Sequence, residues 1–193
     1  MYQPSVSLSH LRSLRGQSTV ANLSNFVMAP QAQTQWCWAA VSVSVFRFFN
    51  DLRWPDQCKL VNDVFSGILA GEDCCQGGDS EDCDIGWDIA QVLRSKGHLA
   101  ERMDNPVGFD VLSRELDING APVVIRVEFD DGLSDHFMAI VGCSVDASGE
   151  RIVQIADPGC ANGNYSIHEF DDFPSNYRPG MVWRNTYCTK ASQ

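Results

Sequence analysis

The first half of the chain alternates short apolar stripes with polar breaks, and its apolar positions recur at helical spacing. Between positions 36 and 50, for example, Trp38, Val41 and Val45 fall on one face, as in an amphipathic helix. Gly97 follows one such stripe at a position that suits the end of a helix. The pattern predicts helices over residues 36–50, 58–70, 85–96 and 109–116, and a short one near 8–14.

The second half is rich in β-forming residues that are separated by Gly, Asp, Asn and Pro. The segment DASGE at 146–150 is short enough to join two strands as a hairpin loop. Helices followed by an antiparallel sheet predict an α+β fold. The predicted strands cover residues 122–129, 136–145, 151–156 and 181–187, with a brief one at 26–28.

The chain shows no internal repeat, low-complexity tract or linker, so we expect one domain over residues 26–193. Residues 1–25 are Ser-rich and weakly patterned, and we expect them to form an N-terminal extension. They contain Arg12 and Arg15 but lack the apolar segment of a secretory signal. No apolar run reaches the roughly 18 residues of a membrane span.

The formal net charge of −11 argues against nucleic acid or an anionic membrane as a partner. Cationic and neutral substrates remain compatible with it. The charge also fits a merely solubilising surface, so it indicates no particular function.

Cysteine is frequent, with eight residues, and four of them cluster in an acidic, Gly-rich stretch. Such a stretch has little apolar content and needs a cross-link to stay ordered. A bond between the neighbours Cys74 and Cys75 would be strained. This leaves two pairings open, 58–74 with 75–83 or 58–75 with 74–83; a zinc site completed by His98 or nearby acids is the alternative.

Disulfides predict an oxidising compartment, and we therefore expect a secreted or extracellular protein. Among the other cysteines, Cys143 alternates with Phe137, Ala139 and Val141 and is expected to be buried as a hydrophobe. Cys160 and Cys188 both lie at ends of β-segments and could form a third pair.

Cys37 is the candidate nucleophile because it falls in the first turn of the helix predicted over 36–50. Unpaired N–H groups and the positive end of the helix dipole favour an anion there, in this case a thiolate. The alternative is a buried structural cysteine in an ordinary core helix.

A nucleophilic cysteine needs a base, and a third group has to orient that base. His136 opens the most strand-like run of the chain, where its side chain can project from a sheet edge into a cleft. Asp157 ends the next strand, so antiparallel pairing would bring it to the same end of the sheet. We expect His10 and His98 to lie on the surface and His168 to lie in a loop.

The site also needs donors for a developing oxyanion. The backbone N–H of Cys37 is one candidate. A side-chain amide just upstream is the other, and Gln31, Gln33 and Gln35 are all available.

Gln31 upstream of Cys37-Trp38 at a helix start resembles the papain-like cysteine peptidases. The later runs APVVIR at 121–126, HFMAIVG at 136–142 and Asp157-Pro158 are also similar. The chain most resembles the compact bacterial branch that includes secreted effector proteases and, more distantly, double-glycine leader peptidases. The resemblance covers roughly residues 26–160.

The resemblance implies a papain-like fold, with the nucleophile helix packed on a C-terminal antiparallel sheet. It also implies a peptide or protein substrate, no cofactor and no metal. Cys37 would be the nucleophile, His136 the base and acid, Asp157 the orienting group, and Gln31, rather than Gln33 or Gln35, the oxyanion donor.

The chain departs from papain itself in three places. Thr34 stands where papain has a cysteine, and the third member would be Asp157 rather than Asn, with Asn162 and Asn164 as fallback candidates. Cys37 and His136 are about 100 positions apart, against roughly 130–150 in papain.

The sequence therefore predicts a cysteine endopeptidase that works through a thioester. The same triad could instead serve acyl transfer, as in transglutaminase-like enzymes. A catalytically inactive, disulfide-linked binding domain is the third hypothesis, and in it Cys37 would be an unreactive buried residue.

Overall fold

A computed structural model describes residues 20–69, 71, 73–76, 82–129, 134–160 and 165–193. Within them the helices are α1 (Cys37–Phe48), α2 (Gln57–Val64), α3 (Ile89–Ser95) and α4 (Phe109–Ser113), which continues into a π-helical turn, Arg114–Ile118. The strands are β1 (Val20–Asn22), β2 (Leu99–Met103), β3 (Val123–Glu128), β4 (Asp135–Val145), β5 (Arg151–Ala156), β6 (Tyr165–Glu169) and β7 (Val182–Thr189).

All seven strands join one antiparallel sheet, whose main order is β2-β7-β3-β4-β5-β6. The long strand β4 pairs with β3 through its first half and with β1 near its end. Three helices precede most of the sheet in sequence. The predicted α+β fold class is therefore confirmed.

The sheet separates two apolar cores, because alternate residues of a strand point to opposite faces. On β4, Phe137 and Ala139 join the core that contains α1, α2 and α3. Met138 and Ile140 join the second core, which Leu112 of α4 helps to form. The sheet thus holds α1 on one face, with ten of its twelve residues buried.

The end of α1 is set by Asn50, whose φ of 63° lies in the left-handed region that Asn tolerates. The N–H of Asp51 then bonds to the carbonyl of Phe46 at 2.8 Å, as in a Schellman-type helix end. The helix therefore ends near the predicted boundary.

The predicted helix over 58–70 was too long, since α2 ends at Val64. The apolar spacing continues to Ile68, but Gly67 has a φ of 88°, which no right-handed helix accommodates. The helix predicted over 85–96 begins later because Asp88 caps it, accepting a bond from the N–H of Ala90 at 2.9 Å.

The brief strand predicted at 26–28 is absent, although Phe26 and Met28 are buried in the first core. Instead β1 forms within the stretch 1–25, whose division from the domain stays a prediction. The sequence also gave no sign of β2 or β6. The short helix predicted near 8–14 lies outside the described residues.

His98 was expected on the surface and is instead fully buried, with a relative exposure of 0%. Its ring stacks between Phe46 and Phe49, with centroid distances of 4.6 and 5.7 Å. One ring nitrogen contacts a carboxylate oxygen of Asp51 at 3.0 Å and the other contacts the carbonyl of Lys190 at 2.9 Å. Polar partners at both nitrogens make this burial possible.

Cys143 is buried as expected but not on the predicted strand face. It lies in the second core with Met138 and Ile140. The pairing of β4 with β5 shifts between Ile140 and Gly142, so an extra residue reverses the alternation.

The acidic loop is cross-linked by two disulfides, Cys58–Cys75 and Cys74–Cys83. This is one of the two pairings left open by the sequence, and it leaves none of these four sulfurs as a thiolate for zinc.

The predicted disulfide between Cys160 and Cys188 was wrong, because both residues are free thiols. Cys188 lies on β7 and Cys160 follows β5, and β3 and β4 separate those two strands. That separation is well beyond the Cα distance of about 4.4–6.8 Å that a disulfide needs.

Candidate active site

Cys37 is the first residue of α1, in the position expected from the sequence, and only 7% of it is exposed. The first N–H groups of a helix have no partner within the helix and point toward its N-terminal end. The Cys37 sulfur therefore lies where the backbone favours negative charge.

The turn before Cys37 is fixed by the disulfide-linked loop. The indole N–H groups of Trp36 and Trp38 donate to the carbonyls of Cys83 and Ile85 at 2.7 and 2.9 Å. The Asp84 carboxylate accepts from the backbone N–H of Gln35 at 2.7 Å and also from the Thr34 hydroxyl. The loop thereby holds the start of α1 in place.

His136 lies near the start of β4, and its imidazole lies between two other groups. Nε2 is 2.6 Å from Oδ1 of Asp157, which follows the end of β5. The Cys37 side chain is also close enough to the imidazole to raise its pKa. The antiparallel pairing of Ala139 with Ala156 brings the two strand ends together.

The electrostatics of this group favour a protonated imidazole. Burial lowers the pKa of His136, but the hydrogen bonds and charges of Asp157 and Cys37 outweigh burial and raise the pKa to about 9. An imidazolium held beside a thiol is the arrangement that stabilises a thiolate.

The Asp157 carboxylate is nearly buried and accepts hydrogen bonds at both oxygens. Oδ1 accepts from the backbone N–H of Gly159 at 2.7 Å as well as from His136. Oδ2 accepts from the hydroxyl of Tyr177. Burial would raise the pKa of Asp157, but His136, Tyr177 and Gly159 hold it below its usual value.

The position of Gly159 leaves little room for a side chain. A Cβ at this position would lie 3.2 Å from Oδ1 of Asp157 and 3.3 Å from Cε1 of His136. A side chain here would press directly on the contact between the imidazole and the carboxylate.

The three glutamines upstream of Cys37 are placed differently. Gln31 is near His136, and its Nε2 donates to the carbonyls of Gln33 and Thr34 at 3.0 and 2.8 Å. Its Oε1 is buried without a hydrogen-bond partner among the described residues. Gln35 lines a different cavity, which also borders Cys37.

Two cavities border these residues, one at Cys37 and the other at His136 and Asp157. One, of about 430 Å³, borders Cys37 and has aromatic walls from Trp87, Phe137 and Tyr187. The other, of about 440 Å³, borders His136 and Asp157 and is lined by Gln31, Phe129, Cys160, Tyr177, Arg178 and Met181.

Two charged pairs contribute to the wall of the first cavity. Arg126 bonds to Asp135 at 2.5 Å and to the side-chain oxygen of Asn185 at 3.2 Å. Arg102 lies 3.8 Å from Asp88. The cavity therefore offers apolar surface and hydrogen-bonding groups without a large excess of either charge.

The structure thus brings Cys37, His136 and Asp157 together and places Gln31 beside them. The fallback candidates Asn162 and Asn164 lie outside the described residues. Sequence reasoning missed Tyr177, which lies in an irregular stretch without periodicity, and nothing in the sequence pointed to it. Sequence reasoning also missed Gly159, for which the run Asp157-Pro158-Gly159 offered only a turn signal.

The fold defines a papain-like protein. It aligns with the crystal structure of the Amb a 11 cysteine protease, a major ragweed pollen allergen, in its proform. The alignment has a TM-score of 0.50 and 13% identity, and it covers 96% of this chain and 75% of that one. This likeness establishes the papain-like fold.

The sequence itself identifies the family. A family model described as papain-like cysteine protease AvrRpt2 matches residues 18–178, which is most of the chain. The chain therefore belongs to this family of cysteine proteases, whose substrates are peptides or proteins. No curated protein sequence matches it. Among the described residues, no helix is long and apolar enough to cross a membrane.

Proposed function

We propose that this protein is a cysteine endopeptidase that cleaves peptide bonds through a thioester on Cys37. The observation that supports this most directly is the position of the His136 imidazole. It bonds to the Asp157 carboxylate and is close enough to the Cys37 side chain for the two to interact. A nucleophile, a base and an orienting group in contact are what nucleophilic catalysis by cysteine requires.

In the first half of the reaction, the Cys37 thiolate attacks the peptide carbonyl carbon and gives a tetrahedral oxyanion. The backbone N–H of Cys37 at the start of α1 donates to that oxyanion. The His136 imidazolium then gives its proton to the leaving amine, the C–N bond breaks and a thioester remains.

In the second half, neutral His136 takes a proton from water, and the resulting hydroxide attacks the thioester carbonyl. The second tetrahedral intermediate collapses, the C–S bond breaks and the new carboxylic acid leaves. Cys37 and His136 return to the thiolate and imidazolium pair. Asp157 holds the ring by its bond to Nε2 throughout.

Gln31 is proposed as the second oxyanion donor. It lines the same cavity as His136 and Asp157, which supports this role over Gln33. Its amide nitrogen now donates to the carbonyls of Gln33 and Thr34, so it would exchange one of these bonds for the oxyanion.

Cleavage within a chain, rather than at its end, is supported by the two cavities. Residues before the scissile bond would occupy one cavity and residues after it the other, because one cavity borders Cys37 and the other borders His136 and Asp157. A secreted or extracellular location is supported by the two disulfides, which persist in oxidising compartments.

The test is hydrolysis of a mixture of long peptides by the wild-type protein and by Cys37→Ala, with products identified by mass. We expect internal cleavages with the wild type and none with the variant. Cys143→Ala, which changes another buried free cysteine, is the matched control and should remain active. Undiminished cleavage by Cys37→Ala would refute the proposal, and amine adducts in place of acids would show acyl transfer instead.

A further inference from the structure

Tyr177 bonds to the Asp157 carboxylate oxygen that His136 does not use. His136 occupies Oδ1, at 2.6 Å, and the Tyr177 hydroxyl donates to Oδ2. The two donors therefore approach the carboxylate from different sides. Asp157 cannot rotate about its terminal torsion without lengthening one of these bonds.

The phenol of Tyr177 is itself well fixed. Its backbone N–H bonds to the carbonyl of Pro174 at 3.0 Å, which closes a turn. Its ring packs edge-on against His168, with a centroid distance of 5.1 Å, and also lies near Phe173. The donor is thus positioned by contacts that do not depend on Asp157.

Among the residues that the structure describes, no other neighbour of Oδ2 can replace this bond. The thiol of Cys160 lies 3.9 Å from the same oxygen, and S–H is a weak donor. The N–H of Gly159 donates to Oδ1, on the side of His136. Burial and the bond to Asp157 raise the pKa of Tyr177, so at neutral pH the hydroxyl keeps the proton that it donates.

We propose that Tyr177 is a positioning residue. It fixes the orientation of the Asp157 carboxylate and thereby aligns the His136 ring for proton transfer. This inference rests on the proposed function of the same site. Tyr177 does not touch the reacting atoms, and its effect passes through Asp157.

Tyr177→Phe is the direct test, because it removes the hydroxyl and keeps the ring that packs on His168. A hydrogen bond to a charged group affects rates by roughly ten- to a hundredfold when it is lost. We expect kcat to fall by about that factor while KM stays within about twofold. The alkaline limb of the pH–rate profile should also shift, because it follows the ionisation of His136 beside Asp157.

Tyr165→Phe is the matched control. Its hydroxyl also makes a partly buried hydrogen bond, to the carbonyl of Phe26 at 2.5 Å, but none to Asp157. We expect this variant to lose stability without losing kcat. An equal loss of kcat in both variants would show a merely structural role for Tyr177.

A double-mutant cycle separates positioning from packing. In an Asp157→Ala background, Tyr177→Phe should lower kcat no further, because the group through which it acts is gone. Additive losses would overturn the proposal.

Titration of His136 by NMR gives a test that needs no turnover. The midpoint for the imidazole should differ between Tyr177→Phe and the wild type, because the carboxylate that pairs with the ring has lost one of its donors, and an unchanged midpoint would overturn the inference. If the two proteins differ in this midpoint but the wild type cleaves no peptide, the positioning role stands and the proposed peptidase function fails.

Discussion

At the residue scale, the proposed mechanism depends on the charge of His136. The ring is largely buried, which on its own would favour the neutral form, yet Asp157 and Cys37 favour the charged form more strongly. A neutral ring could only accept a proton from Cys37, whereas an imidazolium can protonate the leaving amine as soon as the C–N bond weakens.

We therefore expect activity to persist through neutral pH and to decline on the alkaline side. Since the pKa of His136 is about 9 against a usual 6.5, kcat/KM should fall as pH rises through about 9. Asp157→Asn removes the charge that supports this shift and should move the decline to lower pH. The measurement is kcat/KM across pH for both proteins, and a wild-type decline near 6.5 would contradict the assignment.

The three residues in contact could be proposed from sequence because each lies at the end of a regular element. Cys37 begins an apolar helical stripe, and His136 and Asp157 bound two strands that were expected to pair. Tyr177 lies in a stretch with no period, and its approach to Asp157 depends on how that stretch folds back. His98 was misplaced because sequence shows a lone histidine after a glycine but not the carboxylate and carbonyl that it meets when buried.

At the element scale, the disulfide-linked loop supports the start of α1. Cys83 is joined to Cys74 and offers its carbonyl to the indole of Trp36, next to Cys37. Cys58–Cys75 closes a longer loop from the start of α2. The two disulfides should therefore differ in their effects on stability and on catalysis.

Replacing Cys74 and Cys83 together by Ser should lower the free energy of unfolding by about 2–3 kcal/mol, given a sequence separation of 9. Replacing Cys58 and Cys75 should lower it by about 3 kcal/mol, since the separation is 17. We expect kcat/KM to fall more in the first variant because the carbonyl of Cys83 holds Trp36. Denaturant unfolding and peptide hydrolysis measure both effects, and equal losses of kcat/KM would contradict this role of the loop.

Helices with a continuous apolar stripe were predictable, and so were strands made of β-branched runs. The weakly patterned elements were not. β2 has the sequence LAERM, with two charged residues, and it forms because β7 offers it an edge. β6 carries alternating exposed positions and joins β5 in the same way. Tertiary pairing, rather than local preference, determines such strands.

At the scale of the whole molecule, a buried polar cluster joins the helical part to the end of the chain. Asp51, after α1, bonds to Arg53 and to His98, and the other nitrogen of His98 contacts the carbonyl of Lys190. Ser192 also lies within hydrogen-bond distance of Asp51, at 3.5 Å. The cluster therefore ties the C-terminal residues to the helix that carries Cys37.

The stability of the fold should consequently depend on pH in the acidic range. The bond from Arg53, with a further one from His98, holds the pKa of Asp51 well below its usual value despite burial. The native state stays ionised where the unfolded state binds a proton, so the free energy of unfolding should fall as pH drops below about 4. Asp51→Asn should lower the free energy of unfolding by about 2–3 kcal/mol at neutral pH. It should also make that free energy depend less on pH in the acidic range.

Asp171→Asn serves as the control for that experiment. Asp171 pairs with Arg151 on the surface, where both side chains are about half exposed. Surface pairs contribute about 0–1 kcal/mol, so this variant should unfold almost as the wild type does. If Asp51→Asn lowers the free energy of unfolding no more than the control does, the cluster has no structural role.

The most direct test of the central claim is the rate at which each free thiol reacts with iodoacetamide at neutral pH, without reductant, followed by peptide mass mapping. The free cysteines are Cys37, Cys143, Cys160 and Cys188, of which Cys160 is the most exposed and serves as the internal reference. If His136 holds Cys37 as a thiolate, Cys37 should be modified first although it is buried, and His136→Ala should slow its modification at least tenfold. Modification of Cys160 before Cys37, or a Cys37 rate unchanged by His136→Ala, would contradict the assignment of Cys37 as the nucleophile.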